Sequence, residues 1–166
     1  MTTDPPPEPN PPAGPPKDPP LDPIPLHAML ALGFELVDDD PGRAEVRMPV
    51  APAALGFTGN LHGGAIATMV DLAGALAAVG RTGFDPQRES LVTSDMHIRY
   101  LGRPRTDTVV ARAEVVRAGR QLIVIDCRVT DEDDHLIAVA DVSMMIVPLR
   151  TPLPEATEGG AEGPQL

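Results

Sequence analysis

Aromatic side chains are almost absent from this chain: Phe34, Phe57, Phe84 and Tyr100 are the only four, and there is no tryptophan. A platform that stacks single-stranded bases needs aromatic faces, so the composition disfavours that class. Positive charge is short as well. Lys and Arg number 13 against 24 Asp and Glu, a formal net charge of -11 over 166 residues. A general phosphate-binding surface needs the opposite sign, so nucleic acid is not an expected partner. The single cysteine, Cys127, permits no intramolecular disulfide and no multi-cysteine metal site. That fits a reducing compartment, and the cytoplasm is the expected location. No apolar run reaches about 18 residues without a charge, so no membrane span is expected. The start, Met1-Thr2-Thr3-Asp4 followed by prolines, has neither the basic nor the apolar region of a secretory signal.

What is abundant is proline, and it is concentrated. Residues 1–25 hold 12 of the 21 prolines. Beyond Met1 their only large aliphatics are Leu21 and Ile24, too little apolar surface to offset chain entropy. The expectation is a disordered, partly polyproline tail, solvated in the simplest reading and a PxxP-type ligand in the alternative. Residues 150–166 have the same character. The middle, 26–149, is long enough for one hydrophobic core and small enough to gain from oligomerising.

Within it the elements follow in order. Leu26–Leu32 reads as a helical turn or two. Phe34–Val37 reads as a strand ending in an Asp-Asp-Asp-Pro-Gly turn. Arg43–Val50 alternates, with Ala44, Val46, Met48 and Val50 on one face and Arg43, Glu45 and Arg47 on the other, as a half-buried strand does. A helix covers Gly63–Val79. The runs Leu91–Leu101, Asp107–Arg117, Arg120–Thr130 and His135–Pro148 are β-branched or alternating, with short turns between them, and imply an antiparallel meander. The fold class is α+β.

The helix is the informative element. Ile66, Met69, Val70, Ala73, Leu76 and Ala77 form its apolar stripe. The rest of its surface is Ala67, Asp71, Gly74, Ala75 and Ala78 rather than Lys and Glu. Such small residues imply close approach of another backbone, that of a second subunit being one candidate. Asp71 is the sole charge between His62 and Gly80. A carboxylate with no cation beside it is costly to bury. It is therefore solvated, capping a turn, or kept for chemistry. Gly63 and Gly64 stand at the expected helix start, where unpaired N–H groups can bind an anion or polarise a carbonyl. Asp71 lies about 12 Å further along the axis. Gly63 and Asp71 of one chain therefore cannot act on the same carbonyl. If both act, they come from two chains of a dimer.

The segment Asn60-Leu61-His62-Gly63-Gly64-Ala65, with Ala67-Thr68-Met69-Val70-Asp71, resembles the HGG…D signature of hot-dog-fold acyl-CoA thioesterases of the phenylacetate-pathway (PaaI-like) type. Val92–Leu101 resembles that family's next strand, and Arg117-Ala118-Gly119-Arg120 its later hairpin. The resemblance spans about Leu26 to Val147. It implies a hot-dog fold, an antiparallel sheet of about five to six strands wrapped around one long central helix, in homodimers and homotetramers. It implies acyl-CoA as substrate and no cofactor. Carried over, Asp71 is general base or nucleophile, and the Gly63 N–H holds the thioester carbonyl oxygen. His62 orients the loop or contacts the thioester, and Thr93 assists the carboxylate or the attacking water. Many relatives carry Asn six residues before the His. Here that position is Gly56, and Asn60 is the candidate replacement.

Between Arg99 and Arg128 seven arginines face three acids. Arg103, Arg105, Arg117 and Arg120 fall in turns and, with Gly64, are the candidate CoA contacts, since guanidinium suits phosphate. Arg112 and Arg128 read as a solvated outer face. Ala53, Ala54, Leu55 and Phe57 offer apolar surface for an aryl or medium-chain acyl group. His27, His97 and His135 read as structural, and no spacing points to a metal. The alternative to a hydrolase is a non-catalytic, acyl-CoA-binding or regulatory hot-dog protein, kept open by Gly56. Hot-dog dehydratase segments of the His-Phe-Pro-Gly kind are absent.

Overall fold

The computed structural model describes residues 24–36 and 40–149. Apart from Ile24 and Pro25, the expected tails 1–25 and 150–166 lie outside the described residues, as does Val37. The elements are α1 (Pro25–Met29), β1 (Gly33–Leu36), β2 (Arg43–Pro49), a 3-10 turn (Pro52–Ala54), α2 (Gly63–Thr82), β3 (Glu89–Tyr100), β4 (Thr108–Ala118), β5 (Leu122–Asp131) and β6 (Leu136–Pro148). All six strands join one antiparallel sheet in the order β1-β2-β4-β5-β6-β3. The sheet curls around α2, which is the hot-dog arrangement.

Alternation builds the concave face. β2 buries Ala44, Val46 and Met48 and turns Arg43 and Arg47 outward. β5 does the same with Ile123, Ile125, Cys127 and Val129, and β6 with Ala138, Ala140, Val142 and Met144. These meet Ile66, Met69, Val70, Ala73 and Ala77 of α2. Each large side chain so buried contributes about 1.5–3 kcal/mol. By length and composition α2 is apolar enough to cross a membrane, but its buried face is taken up by the sheet. It runs three residues past the expected Val79 and stops at Gly83, whose φ of 64° is the left-handed conformation glycine adopts readily.

Two expectations need correction. Gly74 and Ala78 do not face outward. Both are buried, and a Cβ on Gly74 would stand 3.2 Å from the Met144 methyl, so the glycine lets the helix close on β6. Nor do the four long strands form a simple meander. β4, β5 and β6 do, but β3 pairs with β6 at the far edge. The β3–β4 connection is therefore a crossing. The Leu101 and Gly102 N–H groups donate to Ile137 O, and the Arg105 N–H donates to Asp131 Oδ2. The chain thus passes over the start of β6 and the end of β5 before entering β4.

Asp131 is the clamp of that crossing. It is fully buried, and it accepts from the backbone N–H groups of Arg105, His135 and Asp133. Burial pushes its carboxyl up, but the three donors outweigh this and hold it below its ordinary 3.8. A lowered native value means the ionised clamp stabilises the fold above the unfolded value and stops doing so as pH falls through the native one. Asp131→Asn is expected to lower stability at neutral pH, and the deficit should shrink well below the ordinary value of 3.8. Urea titrations of both proteins at the two pH values check this. A deficit of equal size at both would remove the ionised clamp from the account.

Candidate active site

β3 lies against α2 along its edge, and a β-bulge sets which of its side chains face the helix. The β3–β6 register shifts between Thr93 and Asp95, leaving Ser94 as the extra residue. Before the bulge the odd residue Leu91 packs on the core. After it the even residues Met96 and Ile98 do. Thr93 and Tyr100, seven residues apart, would lie on opposite faces of an unbroken strand. The extra residue puts both on the helix side.

Each then meets one end of the site. The Thr93 hydroxyl donates to Asp71 Oδ1 at 2.6 Å, the short distance of a hydrogen bond to a charged acceptor. Asp71 is half-buried, and no Lys, Arg or His pairs with it among the described residues. Two helical turns away, the Tyr100 hydroxyl donates to Gly63 O at 3.1 Å, and its ring would stand 3.4 Å from any Cβ at position 63. Tyr100 is the site residue the sequence reading missed; in sequence it is an ordinary β-strand aromatic.

His62 caps α2. Its Nδ1 accepts from the Gly64 N–H at 2.9 Å, and its carbonyl accepts from Ala65 and Ile66. Because Nδ1 accepts, the neutral ring carries its proton on Nε2. Of the first N–H groups of α2, Gly63 alone finds no acceptor among the described residues. A donor on the positive end of a helix, held ready and unspent, suits a carbonyl oxygen that gains charge.

The loop before it is tight. Gly56 N–H donates to Asn60 O at 2.7 Å, and His62 N–H to Ala54 O at 2.8 Å. The Asn60 side chain donates to Thr58 Oγ1, not toward His62. A Cβ on Gly56 would lie 3.6 Å from His62 Cδ2. A side chain at position 56 would thus stand beside the histidine, and the Asn60 side chain is turned elsewhere.

The four candidate arginines are all exposed, but they do not form one cluster. Arg103 and Arg105 precede β4, while Arg117 and Arg120 stand at its other end, roughly 33 Å away. Arg112 is taken up by Glu45 and Thr130 on the outer face of the sheet. His97 is exposed beside Asp141, and the His135 N–H donates to Asp131. Phe57 is fully exposed and Ala54 is buried. Burial pushes the Cys127 thiol up to about 12, so it is no nucleophile. No cluster of three metal-binding side chains occurs among the described residues.

A family profile described as the thioesterase superfamily matches residues 58–138, the stretch that carries this site. The medium/long-chain acyl-CoA thioesterase YigI of Salmonella typhimurium is 30% identical over 128 residues, 70% of this chain and 83% of YigI. The chain belongs to the thioesterase superfamily. A crystallised mutant of thioesterase PA1618 from Pseudomonas aeruginosa superposes with a TM-score of 0.68 at 27% identity, over 75% of this chain and 86% of that one. The PaaI protein of the Escherichia coli phenylacetic acid degradation operon shares the fold, with a TM-score of 0.63 at 23% identity over 73% of this chain and 83% of its own. The protein is a hot-dog thioester hydrolase.

The cap makes a stability prediction for the thioesterase. His62→Ala should cost about 1 kcal/mol, and His62→Asn, a good capping residue, should recover most of it. Chemical denaturation of the three proteins checks this, and equal midpoints for Ala and Asn would count against the cap.

Proposed function

We propose that the thioesterase hydrolyses an aryl- or medium-chain acyl-CoA to the carboxylate and free CoA, at sites shared across a dimer. The observation that carries this is the split itself. Asp71 with its hydroxyl partner and the unspent Gly63 N–H belong to one helix, yet they lie about 12 Å apart. One thioester carbon cannot lie within reach of both, so Asp71 of one copy serves the carbonyl held by Gly63 of the other.

The steps follow from the groups. Oδ1 of Asp71 is occupied by Thr93, and Oδ2 takes a proton from water. The water oxygen bonds to the thioester carbon, and the carbonyl oxygen, now negative, accepts from Gly63. The tetrahedral intermediate collapses, the carbon–sulfur bond breaks, and the thiolate of CoA leaves, taking up the proton held by Asp71 and so restoring the carboxylate. A thiolate is a good leaving group, so a carboxylate and an oxyanion donor suffice. Asp71 acting as nucleophile through an anhydride is the alternative path. His62 orients the loop or contacts the thioester. Tyr100 is a positioning residue, fixing the peptide whose N–H does the work.

The outer edge of β3 supports the dimer. It is a 12-residue strand with no partner on that side among the described residues, and Val92, Tyr100 and Leu101 are exposed along it. Such an edge pairs readily with a second copy, and a dimer of dimers follows the same family pattern. That Arg103 and Arg105 follow Tyr100 closely in sequence supports them as the contacts for CoA phosphates. Arg117 and Arg120 reach them only from a neighbouring copy. The lone buried thiol fits the cytoplasm as the location.

Asp71→Asn keeps the shape and removes the base. Its kcat should fall by ~100-fold or more, the scale of losing an acid–base group. Thiol release from phenylacetyl-, hydroxybenzoyl-, hexanoyl- and decanoyl-CoA measures it, and a variant as fast as wild type would sink the mechanism. A single turnover in heavy-oxygen water tests the second path. Label in the Asp71 carboxyl marks the nucleophile.

A further inference from the structure

A cavity of about 400 Å3 opens between α1, the 53–55 turn and the first turns of α2. Leu30 and Ala65 form its buried floor, 4% and 6% exposed. Leu26 and Met29 stand on its rim, 45% and 59% exposed, with Leu55 and His62 completing the wall. No Asp, Glu, Lys or Arg lines it. Its one hydroxyl, that of Thr68, is already spent on Gly64 O. The hollow is thus apolar and uncharged, and it shares His62 and Gly64 with the helix end that carries the free donor.

We propose that this cavity receives the acyl chain of the substrate, and that Ala65 and Leu55 set the chain length it accepts. The inference rests on the thioesterase reading and on Gly63 as the carbonyl donor. A thioester carbon held at Gly63 has two substituents. One is a thiol carrying a charged nucleotide, which an uncharged apolar hollow excludes. The other is the acyl group, which it favours. The volume sits at the low end of the ~300–1,000 Å3 range of small-molecule pockets, matching a chain of medium length. Leu26 and Met29 explain themselves on the same terms. They are large apolar side chains left in water at the mouth of an apolar hollow, and a bound chain covers them. Ala65 is the floor residue nearest the donor in sequence, so a larger side chain there shortens the hollow without touching Asp71 or Gly63.

Straight-chain acyl-CoA esters from acetyl to tetradecanoyl, assayed with the full-length protein, test this. The expected wild-type profile is a kcat/KM that rises about fourfold per methylene until the cavity is full, the worth of one buried methylene, and is level beyond. Ala65→Leu should move that break to shorter chains and lower the decanoyl-to-butanoyl ratio by ~10-fold or more. Leu55→Ala should move it to longer chains and raise the dodecanoyl-to-octanoyl ratio. If Ala65→Leu does not fold, as read by circular dichroism, Leu55→Ala decides alone. If wild type turns over while the variants scale every length by one factor, the chain binds elsewhere and this inference falls while the thioesterase reading stands. If wild type hydrolyses no ester in the series or the aryl panel, both fall together.

Discussion

The phase of β3 against α2 is the constraint from which the site follows. A strand turns alternate side chains to opposite faces, and two hydroxyls seven residues apart are out of phase by one. The single extra residue at Ser94 corrects that, so that Thr93 reaches Asp71 and Tyr100 reaches Gly63 from one edge. The composition of α2 answers to this contact. Its first residue, Gly63, lies directly under the Tyr100 ring. Its one carboxylate sits where a hydroxyl meets it. Gly74 lets the helix close on β6, which is β3's partner in the sheet. Removing any of these spoils the alignment of the others.

Much of this was legible in the chain, in proportion to how local the physics is. The alternation in β2 and the 3.6-residue stripe of α2 are local, and both were read correctly. The family resemblance pointed to Thr93 as assisting the carboxylate or the attacking water, and its hydroxyl lies against Asp71. Gly74 and Ala78 were misjudged because they were classed by small size. Their angle on the helix, one turn apart and one turn past Val70, already placed them in the buried stripe. The position of β3 beside β6 was not legible, since strand order depends on contacts between distant segments. The bulge has no signature in Thr93-Ser94-Asp95, and without it Tyr100 reads as pointing away from the helix. The four arginines looked like one set because they are close in sequence, but β4 holds the two pairs apart.

Charge is distributed in a way that suits an anionic ligand on an acidic protein. On the convex face the acids and bases cancel: Arg43 with Glu114, Arg112 with Glu45, Arg99 with Asp141. All are exposed pairs, each worth about 0–1 kcal/mol, so their effect is to keep that face neutral more than to stabilise it. At physiological ionic strength the field of distant acids is screened within about 8 Å. The potential at the helix end is then set by nearby groups, above all the helix N-terminus, while Arg103 and Arg105 form no ion pair among the described residues.

The His62 cap joins two events that are usually separate. Helix ends fray long before a domain unfolds, at a free-energy cost well below that of global opening. Here the first turn of α2 also carries the free Gly63 N–H and walls the cavity under α1. Each time the cap lets go, the donor loses its direction and the cavity loses a side. The fraction of competent molecules therefore tracks the local equilibrium of one helical turn, not the melting of the whole fold. Warming should dim this enzyme reversibly well before it denatures, and anything docked at that turn should quiet the fluctuation by holding the end of the helix in place.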